Sequence, residues 1–256
     1  MPPEKMSEES KQKWRDIVGD YARTQKTYDT MNALYTLAHY WVENEIIIEQ
    51  AALNEVENNL PQWIPDSNDE DSKAEFRAES EVARHLHDHT LIPMHRYSCI
   101  VMLYTTIERE LKRLVENLEK ERGKQKLKWT DIKSNSDFEQ ISTFCDAFFD
   151  LRLKVCAHYG ALDDLRRIRN CIVHNHGDVS LCKEKERDFL VKLREKRKGF
   201  FAFPKGYVHI HEQCIKQFLV EIWSFFVSVF GAVKWEISPF CHEGKLTEQF
   251  ERLKKR

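Results

Sequence analysis

The sequence predicts an all-α protein, a helical bundle that carries one small β-hairpin. Three observations lead there. Glycine and proline are scarce, eight and seven in 256 residues, while 32% of the chain is charged, a balance that belongs to long solvated helices rather than to a turn-rich sheet protein. Apolar residues recur at alternating spacings of three and four over several long stretches, the repeat of a helix with one buried stripe. Period-two alternation, the mark of a half-buried strand, occurs in one short place. A chain of this length can bury an ample core as one large or two small domains.

Taken in order, the first helical block runs from Thr27 to Asn58, with Met31, Leu34, Tyr35, Ala38 and Val42 at helical spacing and the apolar triplet Ile46 to Ile48 behind them. Residues 1–90 are expected to form an N-terminal helical extension packed on the core. Two prolines and an acidic run break the pattern at Pro61 to Asp71, and Ser72-x-x-Glu75 then reads as a capping box that opens another helix. Residues 91–240 form the main helical domain. Within it, Ile100, Tyr104, Ile107, Leu111, Leu114 and Leu118 give the stretch 97–119 a single apolar seam. A polar, lysine-rich connection spans Gly123 to Ser136, and Ser136-x-x-Glu139 opens a helix expected to run to about Val155. Ala161, Leu165, Ile168 and Ile172 mark the next helix, and a charged one begins at Lys183. Phe200 to Phe203, a Pro204-Lys205-Gly206 turn and Tyr207 to Ile210 read as the hairpin. Phe218 to Val233 is apolar on nearly every face, contains Glu221 and falls short of the ~20 residues that span a bilayer. It is expected to be a helix packed between others or part of a dimer interface. Residues 241–256 make a basic tail, and no internal repeat is evident.

Charge and cysteine content exclude some functions. A formal net charge of −2 argues against a surface that coats nucleic acid nonspecifically. Any RNA contact must rest on local basic runs: Arg122 to Lys133, Lys183 to Lys198 and Lys245 to Arg256. Each such run is more often a solvated helix or loop than a binding site. The seven cysteines, Cys99, Cys145, Cys156, Cys171, Cys182, Cys214 and Cys241, are scattered without a C-x-x-C pair, which indicates reduced thiols and a cytoplasmic protein rather than a disulfide framework or zinc ribbon. The N-terminus M-P-P-E-K-M-S-E-E-S has no apolar core and reads as neither signal peptide nor anchor.

The chemistry concentrates in Arg169 to His174, R-N-C-I-V-H. A guanidinium is always protonated and presents a planar fork of donors to phosphate oxygens, so Arg169 can clamp a scissile phosphate and its developing charge. An imidazole titrates near pH ~6.5, so His174 can take a proton from a nucleophile or give one to a leaving oxygen. RNA brings its own nucleophile, the 2′-hydroxyl, and that reaction requires no metal. On the helical repeat, Asp163, Arg166, Asn170 and His174 lie opposite the apolar stripe with Arg169 on their shoulder. Gly177 is expected to stop the helix just beyond His174, and Asn170 can orient the phosphate or the ring. The same residues also fit a solvated helix face on which Asp163 and Arg167 form an ordinary ion pair. The spacing recurs at Arg84 to His89, R-H-L-H-D-H, without the asparagine or the following glycine.

The string L-R-R-I-R-N-C-I-V-H-N-H-G resembles the signature helix of the HEPN superfamily, whose members carry Arg-Asn-x-x-x-His near the end of a helix in an all-α bundle. The stretch 97–119 resembles the helix that precedes it, and the likeness covers roughly residues 91–235. It implies a HEPN-like helical bundle acting as a homodimeric, metal-independent endoribonuclease, of the kind found among toxins and phage-defence effectors, with RNA as substrate and a regulatory partner or antitoxin. Arg169, Asn170 and His174 would be the catalytic residues, with Glu108 and His176 as supporting candidates. Glu108 would approach the motif arginine, although an exposed pair with Lys112 is an equal alternative. Where one toxin subgroup has a tyrosine two residues after the motif histidine, this chain has His176, so silencing by adenylylation there is not expected. Neither cofactor nor metal nor membrane is expected.

Two other readings compete. A non-catalytic module could keep the fold and bind RNA, a nucleotide or a partner protein. A metal hydrolase could instead use His85, His87, Asp88, His89 and His95, since imidazole is a common transition-metal ligand, but the strands that such a hydrolase needs are missing.

Overall fold

The structure, a computed structural model, describes residues 25, 27–41, 44, 47–48, 81, 90–123, 126–134 and 136–235. Of these, 77% are helical, in six helices beside a small antiparallel sheet. The helices are α1 (residues 27–41), α2 (Ile92–Arg122), α3 (Asp137–Phe149), α4 (Tyr159–Asn175), α5 (Glu184–Lys196) and α6 (Glu212–Ala232). Strands β1 (Phe200–Ala202) and β2 (Val208–Ile210) pair antiparallel, with Phe200 opposite Ile210, Phe201 opposite His209 and Ala202 opposite Val208. The expected linker at Pro61 to Asp71, the capping box at Ser72, most of the N-terminal extension and the basic tail lie outside the described residues.

The chain divides into two compact units. One draws on the described parts of Met1–Thr36, Thr105–Asp163 and Phe218–Arg256, the other on those of Leu37–Tyr104 and Asp164–Gln217. Helices α1, α2, α4 and α6 contribute residues to both.

The seam read in α2 is the buried face of that helix: Ile100, Tyr104, Ile107, Leu111, Leu114 and Leu118 are all 4% exposed or less. In the first unit a buried carboxylate, Glu110, accepts from the Thr30 hydroxyl at 2.8 Å and meets Arg109 at 2.8 Å and Arg113 at 3.3 Å. A charge removed from water needs such partners. Phe138 stacks on Tyr159, and the Trp235 indole donates to Glu121.

Two expectations change here. Helix α3 starts as foreseen, with the Ser136 hydroxyl accepting from the Glu139 N–H, but it ends at Phe149 instead of near Val155. Asp150 enters the left-handed region (φ 50°), the Leu151 N–H turns back to the Cys145 carbonyl, and Arg122 donates to the Phe149 carbonyl at 2.6 Å. These satisfy the end of the helix, and Leu153–Val155 forms a separate 3-10 turn. Helix α6 begins at Glu212 rather than Phe218 and reaches 21 residues, so by length and composition it could cross a membrane, as no other helix among the described residues could. Its Phe218, Ile222, Phe225, Phe226, Val229 and Phe230 are all buried, as in the central helix of a packed core.

In the second unit Asp164 and Arg197 are both buried and joined at 2.7 Å, with Lys196 on the same carboxylate oxygen at 2.7 Å. The hairpin follows directly. Phe200, Ala202, Val208 and Ile210 are its inner face, as period-two alternation requires.

Candidate functional site

Helix α4 carries the motif, and its buried stripe fixes which way the motif faces. Ala161, Leu165, Ile168 and Ile172 are 5, 0, 0 and 8% exposed, so the opposite positions must lie outward. Asp163, Arg166 and Asn170 are half-buried there, and His174 is exposed. Arg167 meets Glu186 at 3.0 Å and stands over the Phe189 ring at 4.0 Å.

The helix ends where the glycine was expected to end it. His176 and Gly177 both take positive φ, 52° and 79°, and the Gly177 N–H reaches back to the Cys171 carbonyl at 3.1 Å. Glycine is required twice over at 177: a left-handed backbone disfavours a β-carbon, and one placed there would overlap the phenol ring of Tyr97. The Tyr97 hydroxyl donates to the Val208 carbonyl, and burial pushes its pKa up to about 12. The Gly177 carbonyl accepts from the Val208 N–H at 2.9 Å, and the Val179 N–H donates to Gly206 at 2.9 Å. The turn that follows the motif is therefore bonded along its length to the hairpin.

The two leading candidates sit differently. Arg169 is half-buried, its guanidinium 5.5 Å from the centre of the Tyr104 ring and its Nη1 donating to the Asn170 side chain at 3.1 Å. Its Nε is buried and lacks an acceptor among the described residues. His174 is exposed and has no hydrogen-bond partner among the described residues. Five residues of helix separate the pair by about 140° of rotation and ~7.5 Å of rise. Arg169 and Asn170 are thus brought together, and His174 lies past them at the open helix end.

Of the supporting candidates, His176 is exposed in the left-handed turn. Glu108 belongs to the first unit and lines a shallow hollow on α2 with Thr105, Arg109, Lys112, Arg113 and Glu116. Lys112, its alternative partner, reaches Asp137 at 2.9 Å and stands over Trp129. The acceptor that Arg169 meets is Asn170. Cys171 is buried, its sulfur 3.5 Å from that of Cys182, and burial raises its pKa strongly. A thiol held protonated neither attacks nor ligates well, in keeping with a small packing residue. His85, His87 and His89 lie outside the described residues, while His95 is on α2 near the Cys99 sulfur. Among the described residues no three His, Cys, Asp or Glu groups gather as a metal site would require.

Sequence reasoning passed over the outer face of the hairpin. Phe201, Phe203, Tyr207, His209 and His211 are all exposed, so every outward position of its two arms holds a ring. Phe201 meets His211 edge to face at 5.5 Å, and Phe203 meets His209 likewise at 5.8 Å. Burial and the neighbouring Arg96 and His209 lower the His211 pKa, which favours the neutral ring. The signal was legible in F-F-A-F and Y-V-H-I-H, where the odd-numbered positions are all aromatic or imidazole. Comparison with family models, with curated protein sequences and with solved structures finds no match for this chain.

Proposed function

We propose that the protein is a HEPN-type, metal-independent endoribonuclease. Arg169 clamps the scissile phosphate, Asn170 holds the guanidinium, and His174 moves the proton between the 2′-hydroxyl and the leaving 5′-oxygen. The 2′-oxygen forms a bond to phosphorus, the P–O5′ bond breaks, and the products are a 2′,3′-cyclic phosphate and a 5′-hydroxyl. Electrostatic stabilisation by the guanidinium and proton transfer by the imidazole supply the rate. The observation that carries this reading is the motif's local arrangement: Arg169 donates to Asn170 through Nη1 alone among the described residues, its Nε has no acceptor, and an unpartnered His174 stands at the open end of the same helix. A homodimer that brings two such helix ends to one cleft belongs to the same proposal, as does a role as toxin or defence effector in the cytoplasm.

A second reading is favoured by one specific observation. Arg169 lies over Tyr104 and turns about 140° away from His174 on the helix, as in a non-catalytic module whose arginine serves packing and which binds RNA, a nucleotide or a partner.

Incubating the purified protein with total RNA in EDTA, beside Arg169→Ala and His174→Ala, separates the two. Cleavage in EDTA with cyclic-phosphate ends, abolished by both substitutions, is the expected result. Cleavage that survives both overturns the assignment of the motif, and an inert wild type that still binds RNA supports the second reading.

A further inference from the structure

The hairpin has an apolar inner face, as any packed sheet must. Its outer face is unusual for an exposed surface: Phe201 and Phe203 are 42% and 48% exposed and Tyr207 56%, joined there by His209 and His211. Large rings left in water are costly unless something covers them. Cross-strand contacts already order them: Phe201 against His211 and Phe203 against His209, each near perpendicular, at 85° and 80°. These two pairs are therefore ordered before a ligand arrives, with Tyr207 beside them.

Charge selects among the possible ligands. From Lys196 to His211 the chain has four cations, Lys196, Arg197, Lys198 and Lys205, and no Asp or Glu. Arg197 and Lys196 are engaged by Asp164, but Lys198 and Lys205 are exposed at the base and the tip of the hairpin. Of the carboxylates that flank it in sequence or pairing, Asp178, bridged to Tyr207, accepts from the Ser180 N–H and hydroxyl, Glu212 pairs with Lys216, and Glu195 is exposed on the last turn of α5. A second copy docked face to face about a two-fold axis would oppose like charges, whereas a polyanion with flat bases would match both rings and lysines. Stacking on aromatic rings flanked by cations is how unpaired strands are held; a duplex keeps its base faces hidden.

Position supplies the last argument. Gly177 and Val179, which follow the motif within five residues of His174, are bonded through the backbone to Val208 and Gly206 of the hairpin. The hairpin is therefore joined to the turn that closes α4, just past His174.

We propose that the outer face of the hairpin, Phe201, Phe203 and Tyr207 with His209 and His211, is a base-stacking platform that binds single-stranded RNA and leads it to His174. The proposal rests on the nuclease reading for its purpose but not for its binding, so the two fail separately. In a His174→Ala background, which keeps the probe intact, fluorescence anisotropy with a labelled oligoadenylate RNA of about 12 nucleotides would compare the parent with the combined Phe201→Ala, Phe203→Ala and Tyr207→Ala variant. We expect binding at least about tenfold weaker in the variant, an unchanged melting temperature, recovery in Phe201→Trp with Phe203→Trp, and weaker binding of the matching duplex. Unchanged affinity in the alanine variant overturns the proposal, as does equal, ring-independent binding of the duplex. So does sedimentation showing a parent dimer that the alanine variant converts to monomer with RNA affinity intact, which would assign the rings to a second copy. Ring-dependent binding by a wild type that never cleaves keeps the platform and ends the nuclease reading. Cleavage that needs Arg169 and His174 but not the rings does the reverse.

Discussion

Helix α4 has two sides satisfied in different ways. Along one, Leu165 and Ile168 are fully buried, and Asp164 is closed by Arg197 and Lys196. Along the other, Arg169 donates to its neighbour with one nitrogen, and His174 has no partner among the described residues. The inner side gives the fold its stability and leaves the outer side free to carry chemistry. Substitutions should therefore divide: on the inner side they unfold, and on the outer side they alter function in a protein that still folds.

The largest effect is expected at Asp164. Replacing it by alanine removes the carboxylate that faces a buried guanidinium at 2.7 Å and should cost about 3–5 kcal/mol of unfolding free energy, read by urea denaturation. Replacing the pair together, as Asp164→Leu with Arg197→Met, should recover most of that loss, because apolar residues of similar volume need no counter-charge. A double variant as unstable as the single one would show that the pair itself stabilises the fold. Next comes Leu165→Ala on the fully buried stripe, expected to cost about 2–5 kcal/mol through lost transfer energy and the cavity left behind.

Gly177→Ala tests the seam between the helix end and the hairpin. Its φ of 79° and the Tyr97 ring in the way should cost about 1–3 kcal/mol, and amide exchange should rise at Val179 and Val208, whose N–H groups bond across that seam. Tyr97→Phe is milder. It removes the hydroxyl that donates to Val208, a loss of about 1 kcal/mol near neutral pH. Because burial raises the Tyr97 pKa from 10.0 to about 12, the folded state holds that proton more tightly than the unfolded one. The contribution is fully present below pH 10 and is lost as the pH rises toward 12. Wild type should thus lose stability more steeply than Tyr97→Phe over that window in denaturant titrations.

Legibility followed the same division. The α2 seam, the α4 stripe, the Gly177 stop and both arms of the hairpin could be read because each rests on local periodicity or on one residue's backbone preference. The stop of α3 could not, since it depends on Arg122 reaching the Phe149 carbonyl from 27 residues away. The start of α6 lies before the apolar run because Glu212, Gln213, Lys216 and Gln217 interrupt it, although Cys214 and Ile215 between them are buried. At the site, the residue types and the outward face of Asn170 and His174 were legible, while the contacts their side chains make were not. That Arg169 lies over Tyr104, 65 residues earlier, and that the α4 turn is bonded to the hairpin, are contacts made only by the folded chain. The outer rings of the hairpin stand in the sequence itself, at the odd-numbered positions of F-F-A-F and Y-V-H-I-H, because the alternation that marks a strand also names what its outward positions hold.

The smallest stability effect is the most telling. The His174 imidazole is exposed and has no hydrogen-bond partner among the described residues, so His174→Ala should change the unfolding free energy by no more than about 0.5 kcal/mol. If His174 is the proton carrier, the same substitution should lower cleavage by about 10²–10⁴-fold, with the melting curve superimposed on that of wild type. Arg169→Ala sharpens the contrast: its guanidinium also packs over Tyr104, so it should show some loss of stability, about 0.5–1 kcal/mol, together with the loss of cleavage. A His174→Ala protein that melts several degrees lower would mean that the outer side of α4 is structural after all, and the separation between scaffold and chemistry along this helix would not hold.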